Sequence, residues 1–150
     1  MGNICRSPSA EGFFASVLQK SEHKNAVSID SAGTHGYHVG HSPDSRAVAT
    51  ALNFDVDISH LRARKVSVAD FDDYDLIIAM DRSNLEDLQR IRPEGSKAEL
   101  RMMMEYHPDG RPDEVPDPYY GGIEGFNYMC SLLESATRGL LTDIEGRLVQ

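Results

Sequence analysis

Cysteine is scarce in this chain. Cys5 and Cys130 are the only two in 150 residues, too few for a disulfide framework, and a reducing, cytoplasmic setting is expected. Long apolar runs are missing too. No stretch approaches the ~18 residues of a membrane span, and no charged-then-apolar leader opens the chain, so neither a membrane partner nor a signal peptide is expected. Basic residues are in deficit, 15 Lys and Arg against 24 Asp and Glu, for a net charge of −9. That balance disfavours a nucleic-acid partner, but it leaves room for a local anion site made of backbone amides. Repeats, low-complexity tracts and linkers are absent. Leu, Ile, Val and Phe together make 34 residues, above the ~20% floor typical of disordered chains. One domain with its own core is expected over residues 1–150.

What is present alternates between helical and extended patterns. Ala10, Phe13, Phe14, Val17 and Leu18 share a helix face, and Ser7-Pro8 reads as N-cap and first helical residue. A helix from about Pro8 to Lys20 is predicted. Ala26 to Asp30 alternates like a short strand, and residues 33–42 form a glycine-containing loop. Ser42-Pro43 starts a second helix with Ala47, Val48, Ala51 and Leu52 on its apolar face. Leu76 to Met80 is a continuous apolar run, as in a strand covered on both faces. Asp81 precedes a helix that Pro93 stops, Glu99 to Met104 reads as a further strand, and a proline-rich loop over 107–118 leads to a last helix from Gly122 or Ile123. This alternation implies an α/β fold with a parallel sheet. No strand precedes the first loop, although ligand sites in such sheets sit at the carboxyl ends of strands.

Two segments carry chemistry. Gly2-Asn3-Ile4-Cys5-Arg6-Ser7 runs directly into the first helix. Free amides and the positive end of a helix dipole suit a phosphate there, and Arg6 adds a bidentate clamp. Asp117 lies between Pro116 and Pro118 and before Tyr119 and Tyr120. A stiffly held acid beside aromatic rings suits protonation of a leaving oxygen. Taken singly, each segment also reads as an ordinary turn that caps a helix. His35, His38 and His41 have a conceivable metal-ligand spacing, but a glycine loop does not fix ligand geometry, so they are expected to flank a cleft and no metal is expected. Arg62, Arg64 and Lys65 read as a solvated basic face, Met102, Met103 and Met104 as core filling, and Cys130 as a buried small residue.

Together these blocks resemble the low-molecular-weight protein tyrosine phosphatases. The resemblance is carried by Gly2 to Pro8 with Ala10-Glu11, Ser31 to Thr34, Pro43-Asp44 with Arg46-Ala47, Arg62 to Arg64, Asp70-Phe71, Ala79 to Asp81 with Asn84-Leu85, and Pro116 to Gly122, in the family's order. It implies a three-layer αβα fold around a four-stranded parallel sheet. It implies hydrolysis of phosphotyrosine in proteins or of small aryl phosphates through a thiophosphate, without a cofactor. Gly2, Asn3, Ile4, Cys5, Arg6 and Ser7 would bind phosphate, and Arg6 and Asp117 would be catalytic. Tyr37, Tyr119 and Tyr120 would wall the substrate cleft. The family's C-x5-R spacing puts the nucleophilic cysteine one position before Met1, so the first strand and that cysteine are expected to be absent from the chain. Cys5 matches the family's second loop cysteine, not its nucleophile. Weak or no activity is expected of the 150-residue chain, with a phosphate- or phosphotyrosine-binding relative as the alternative. Self-association through the slot of the absent strand is a further expectation. Too few cysteines disfavour an arsenate reductase, and Ile4 in place of Thr disfavours an arginine phosphatase.

Overall fold

The computed structural model describes residues 2–149, so Met1 lies outside it. Its elements are α1 (Arg6–Leu18), α2 (Ser45–Leu52), α3 (Asp70–Asp73), β1 (Leu76–Ala79), α4 (Arg82–Ile91), β2 (Glu99–Met102) and α5 (Ile123–Leu148). Short 3-10 turns occupy Lys24–Ala26 and Met103–Tyr106. None of the described helices is long and apolar enough to cross a membrane.

The sheet is built from one β-α-β unit. β1 and β2 run parallel with Leu76 opposite Glu99 and Ala79 opposite Met102, and α4 makes the crossover. The period-2 alternation of a strand sends neighbouring side chains to opposite faces. Leu76 and Ile78 pack on the larger core with Phe13, Phe14, Met129 and Leu133 of α1 and α5. Ile77 and Ala79 pack on a smaller core with Phe71 and Leu88 of α3 and α4. Both faces of β1 are therefore covered, as its unbroken apolar run requires.

Several sequence expectations change here. The sheet among the described residues has two strands. Residues 27–32 take no strand pairing, although Val27 and Ile29 do pack against the larger core. The segment has the side-chain alternation of a strand and no hydrogen-bonded neighbour; only Gly33, just beyond it, bridges to Lys65. α1 begins two residues before Pro8, with Cys5 as N-cap and no side-chain capping bond. Ser7 does not cap it, because it already lies inside the first turn; its hydroxyl accepts from Asn3. α2 is capped by Asp44, whose carboxylate accepts the Arg46 amide. Met103 turns the chain out of β2 earlier than the apolar run suggested.

Gly139 of α5 sits against the turn at Met103–Tyr106. A Cβ there would fall 2.0 Å from the Tyr106 carbonyl oxygen, a backbone atom that cannot swing aside. Overpacking costs about 1–3 kcal/mol, which outweighs the ~1 kcal/mol that alanine gains in a helix interior. Gly139→Ala is expected to lower the urea unfolding midpoint; a higher midpoint would show that the turn yields freely.

Candidate active site

The loop before α1 owes its shape to Asn3. Its φ of 61° is left-handed, a region that asparagine tolerates better than most residues. Its buried amide then satisfies three groups. Nδ2 donates to Ser7 Oγ at 2.7 Å and to Ser31 Oγ at 3.0 Å, and Oδ1 accepts the Arg64 amide at 3.1 Å. The Ser31 hydroxyl in turn donates to Glu11 Oε1 at 2.6 Å. Burial pushes the Glu11 carboxyl above its ordinary pKa, with the Ser31 hydroxyl opposing. Gly2 permits a close approach, since a Cβ there would meet the His38 ring at 2.4 Å. The Ile4 carbonyl accepts the Asp44 amide at 2.8 Å. No side chain caps α1, so its first-turn amides stay available to an anion.

Arg6 lies beneath this loop with a side chain only 4% exposed. Its Nη1 donates to Asp81 Oδ2 at 2.7 Å and to the Val115 carbonyl at 2.8 Å. Its Nη2 lies 3.9 Å from Asp117 Oδ2, beyond hydrogen-bond length. Asp81 stands at the carboxyl end of β1 and also caps α4, accepting the Asn84 amide at 2.7 Å. Burial works against its charge, yet the Asn84 amide and the Arg6 guanidinium hold its carboxyl below the ordinary range. Val115 is fully buried and its amide donates to the Met80 carbonyl at 2.8 Å, so one residue fastens the acidic loop to both β1 and Arg6.

Asp117 has a side chain 40% exposed, and its Oδ1 accepts the Tyr119 amide at 3.0 Å. Tyr37, Tyr119 and Tyr120 line the same cavity as Gly2 to Ser7, Arg6 and Asp117. Tyr37 stacks on His35, and Tyr119 and Tyr120 meet edge to face. Tyr120 is almost wholly exposed at the rim. His38 lines the cavity, while His41 lies outside it; the described residues hold no cluster of three or more His, Cys, Asp or Glu able to ligate a metal.

Burial, followed by the charges of Asp44 and Asp117, pushes the Cys5 thiol up to about 12. One sequence reading is corrected. The basic run is not a solvated face throughout, because Arg64 is bidentate to Asp70 at 3.0 and 3.1 Å and reaches Asp30 at 3.0 Å. Sequence reasoning gave Asp81 no role with Arg6 and gave Val115 none at all. The signal available for Asp81 was its position directly after a buried strand.

Asp81 generates a pH prediction. Its folded pKa lies below the ordinary 3.8, so its stabilisation is fully present above that value. It is lost as pH falls through the lower, folded value. Urea midpoints of the parent chain and of Asp81→Asn should differ by a constant amount from pH 7 down to about 4 and converge below it. A gap that persists at lower pH would contradict the assigned charge.

Comparisons with known proteins identify the family. A family model described as low molecular weight phosphotyrosine protein phosphatase matches residues 1–149. The low molecular weight phosphotyrosine protein phosphatase of Schizosaccharomyces pombe is 43% identical over 127 residues, covering 84% of this chain and 81% of the relative. The low molecular weight protein-tyrosine-phosphatase of Streptomyces coelicolor is 38% identical over 153 residues, covering 97% and 93%. A crystal structure of a protein tyrosine phosphatase from Entamoeba histolytica, with Hepes in its active site, superposes with a TM-score of 0.93 at 36% identity, covering 97% of this chain and 93% of that one. The chain belongs to the low molecular weight phosphotyrosine protein phosphatase family.

Proposed function

We propose that the site hydrolyses phosphotyrosine or a small aryl phosphomonoester by two phosphoryl transfers. Gly2 to Ser7 cradle the phosphoryl oxygens with backbone amides, and Arg6 holds them with Nη2. Asp117 gives its proton to the leaving phenolic oxygen as the P–O bond breaks. A cysteine thiolate takes the phosphoryl group in line. Water, deprotonated by Asp117, then attacks the thiophosphate, the S–P bond breaks, and phosphate leaves with the thiolate restored. Charge is stabilised by the amides and Arg6. The aromatic rim of Tyr37, Tyr119 and Tyr120, exposed at Tyr37 and Tyr120 and half-buried at Tyr119, favours a substrate with an aromatic ring. The observation that carries this reading is the juxtaposition of a buried, doubly anchored Arg6 with Asp117 at 3.9 Å.

The thiolate is assigned to the position immediately before Met1, at the end of an apolar strand. Cys5 does not fit the role, since its thiol stays protonated at neutral pH. The cavity of about 760 Å³ that opens on the loop supports the strand. It continues between residues 27–31 and β1, far beyond the needs of one phosphate, and Val27, Ile29, Leu76 and Ile78 line it. A strand there would pair with β1 on its unpaired edge and with 27–31, completing a four-stranded parallel sheet. The unfilled slot also favours self-association of the 150-residue chain, because unpaired strand edges are sticky. A cytoplasmic location follows from the need to keep a reactive thiol reduced.

The 150-residue chain is expected to bind inorganic phosphate or vanadate weakly and to hydrolyse p-nitrophenyl phosphate near background. Adding an apolar strand ending in Cys directly before Met1 should restore turnover. In that extended protein Asp117→Asn should cost roughly 10²–10⁴-fold, the usual contribution of a general acid. Robust turnover by the unextended chain, lost in Cys5→Ser, would make Cys5 the nucleophile and overturn the assignment.

A further inference from the structure

A general acid works only if its proton meets the bridging oxygen, and Asp117 has little of its own to hold it there. Its side chain is substantially exposed, and one carboxylate oxygen is held by the backbone amide of Tyr119. The position of Tyr119 therefore sets the position of the acid. Tyr119 is in turn held by a side chain from another part of the fold. Arg46, in the first turn of α2, donates from Nη2 to the Tyr119 carbonyl at 2.9 Å. The same guanidinium is bidentate to Asp44, from Nε at 3.0 Å and from Nη2 at 2.8 Å. It lies 4.7 Å above the Phe126 ring of α5 and 5.5 Å from the Tyr119 ring. Asp44 is tied to the phosphate loop, because its amide donates to the Ile4 carbonyl at 2.8 Å. A continuous path of direct contacts thus runs from Ile4 through Asp44, Arg46 and Tyr119 to Asp117.

We propose that Arg46 is a positioning residue that sets the distance between the phosphate loop and the acid Asp117. This rests on the reading of Asp117 as the general acid. Two features make the path stiff. Asp44 uses both carboxylate oxygens on the Arg46 fork and spends Oδ1 a second time on the Arg46 amide at 2.8 Å. The aromatic face of Phe126, itself fully buried, supports the plane of the guanidinium. The fork grips the Asp44 carboxylate at two points while Nη2 also donates to the Tyr119 carbonyl; a lysine ammonium keeps the charge but loses the Nε contact to Oδ1 and the flat face on Phe126 that together fix the orientation. The ion pair also holds the Asp44 carboxyl below its ordinary range, chiefly through the Arg46 side-chain hydrogen bond, so the link is charged wherever the enzyme would work.

The test uses leaving-group dependence, which a merely structural contact would not move. In the extended protein, Arg46→Ala and Arg46→Lys are expected to lower kcat/KM, which reports the first transfer and not the shared hydrolysis of the thiophosphate, about tenfold or more for phenyl phosphate. That is a partial loss of the 10²–10⁴ supplied by an acid. For p-nitrophenyl phosphate, whose phenolate needs little protonation to leave, the loss should be several-fold smaller, with KM and inhibition by inorganic phosphate changed less than about threefold. Either variant added to Asp117→Asn should cost nothing further, since both act through one group. Arg46→Lys keeps the charge and an apolar stem over Phe126, so it serves if Arg46→Ala fails to fold. A loss equal across leaving groups, or full activity in Arg46→Lys, overturns the proposal. If Asp117→Asn itself shows no leaving-group dependence, the reading of Asp117 as acid fails instead. Arg46 is then decided in the 150-residue chain by amide exchange and by titration with inorganic phosphate. Faster exchange at Tyr119 in Arg46→Lys, with loop amides still responding to phosphate, supports the link; unchanged exchange at Tyr119 refutes it.

Discussion

The site depends on how the Arg6 guanidinium is held. A cation with 4% of its side chain exposed would cost several kcal/mol to bury alone. Asp81 supplies the opposing charge and the Val115 carbonyl a second acceptor, both on Nη1. The two come from different places, the end of β1 and the loop before Asp117. Fixing Arg6 therefore fixes both relative to α1, and Nη2 is left facing Asp117. On the proposed reading, the loop amides and Arg6 are preorganised for a phosphoryl group, which is where most of the electrostatic benefit of such sites originates.

Around that centre the polar groups form two separate braces. Asn3 holds the loop from below, through Ser7, Ser31 and the Arg64 amide, with Arg64 itself pinned by Asp70 and Asp30. Arg46 and Asp44 hold it from the side and connect it to Tyr119. On the proposed reading, the first brace shapes the anion cradle and the second governs where the acid stands. Removing a partner from either leaves buried or half-buried charge without compensation, which costs more than the pair itself contributes.

Helical periodicity made α1, α2, α4 and α5 legible, and the apolar run made β1 legible. α3 is a single turn, Asp70–Asp73, too short to show a period. Residues 26–30 show the limit of alternation as a signal. Val27 and Ile29 do turn to the core, so the pattern reported the side-chain environment correctly, but pairing depends on a neighbour that no local pattern specifies. Ser7-Pro8 misled for a different reason: the helix already starts at Arg6, so Ser7 lies inside its first turn, where its hydroxyl serves Asn3. Arg6 and Asp117 were nameable because each sits in a compact motif. Asp81 lies 75 residues from Arg6, and Arg46 lies 73 from Tyr119, so their partnerships exist only once the chain is folded.

The central claim is that Arg6 acts as an anchored fork and not as a point charge. Calorimetric titration of inorganic phosphate into the 150-residue chain and its Arg6→Lys variant tests this directly. A lysine keeps the charge but cannot span Asp81, the Val115 carbonyl and a phosphoryl oxygen together. The account predicts that Arg6→Lys loses phosphate affinity at least about tenfold, the equivalent of one good charge-assisted hydrogen bond. Equal affinity in the two proteins would contradict it.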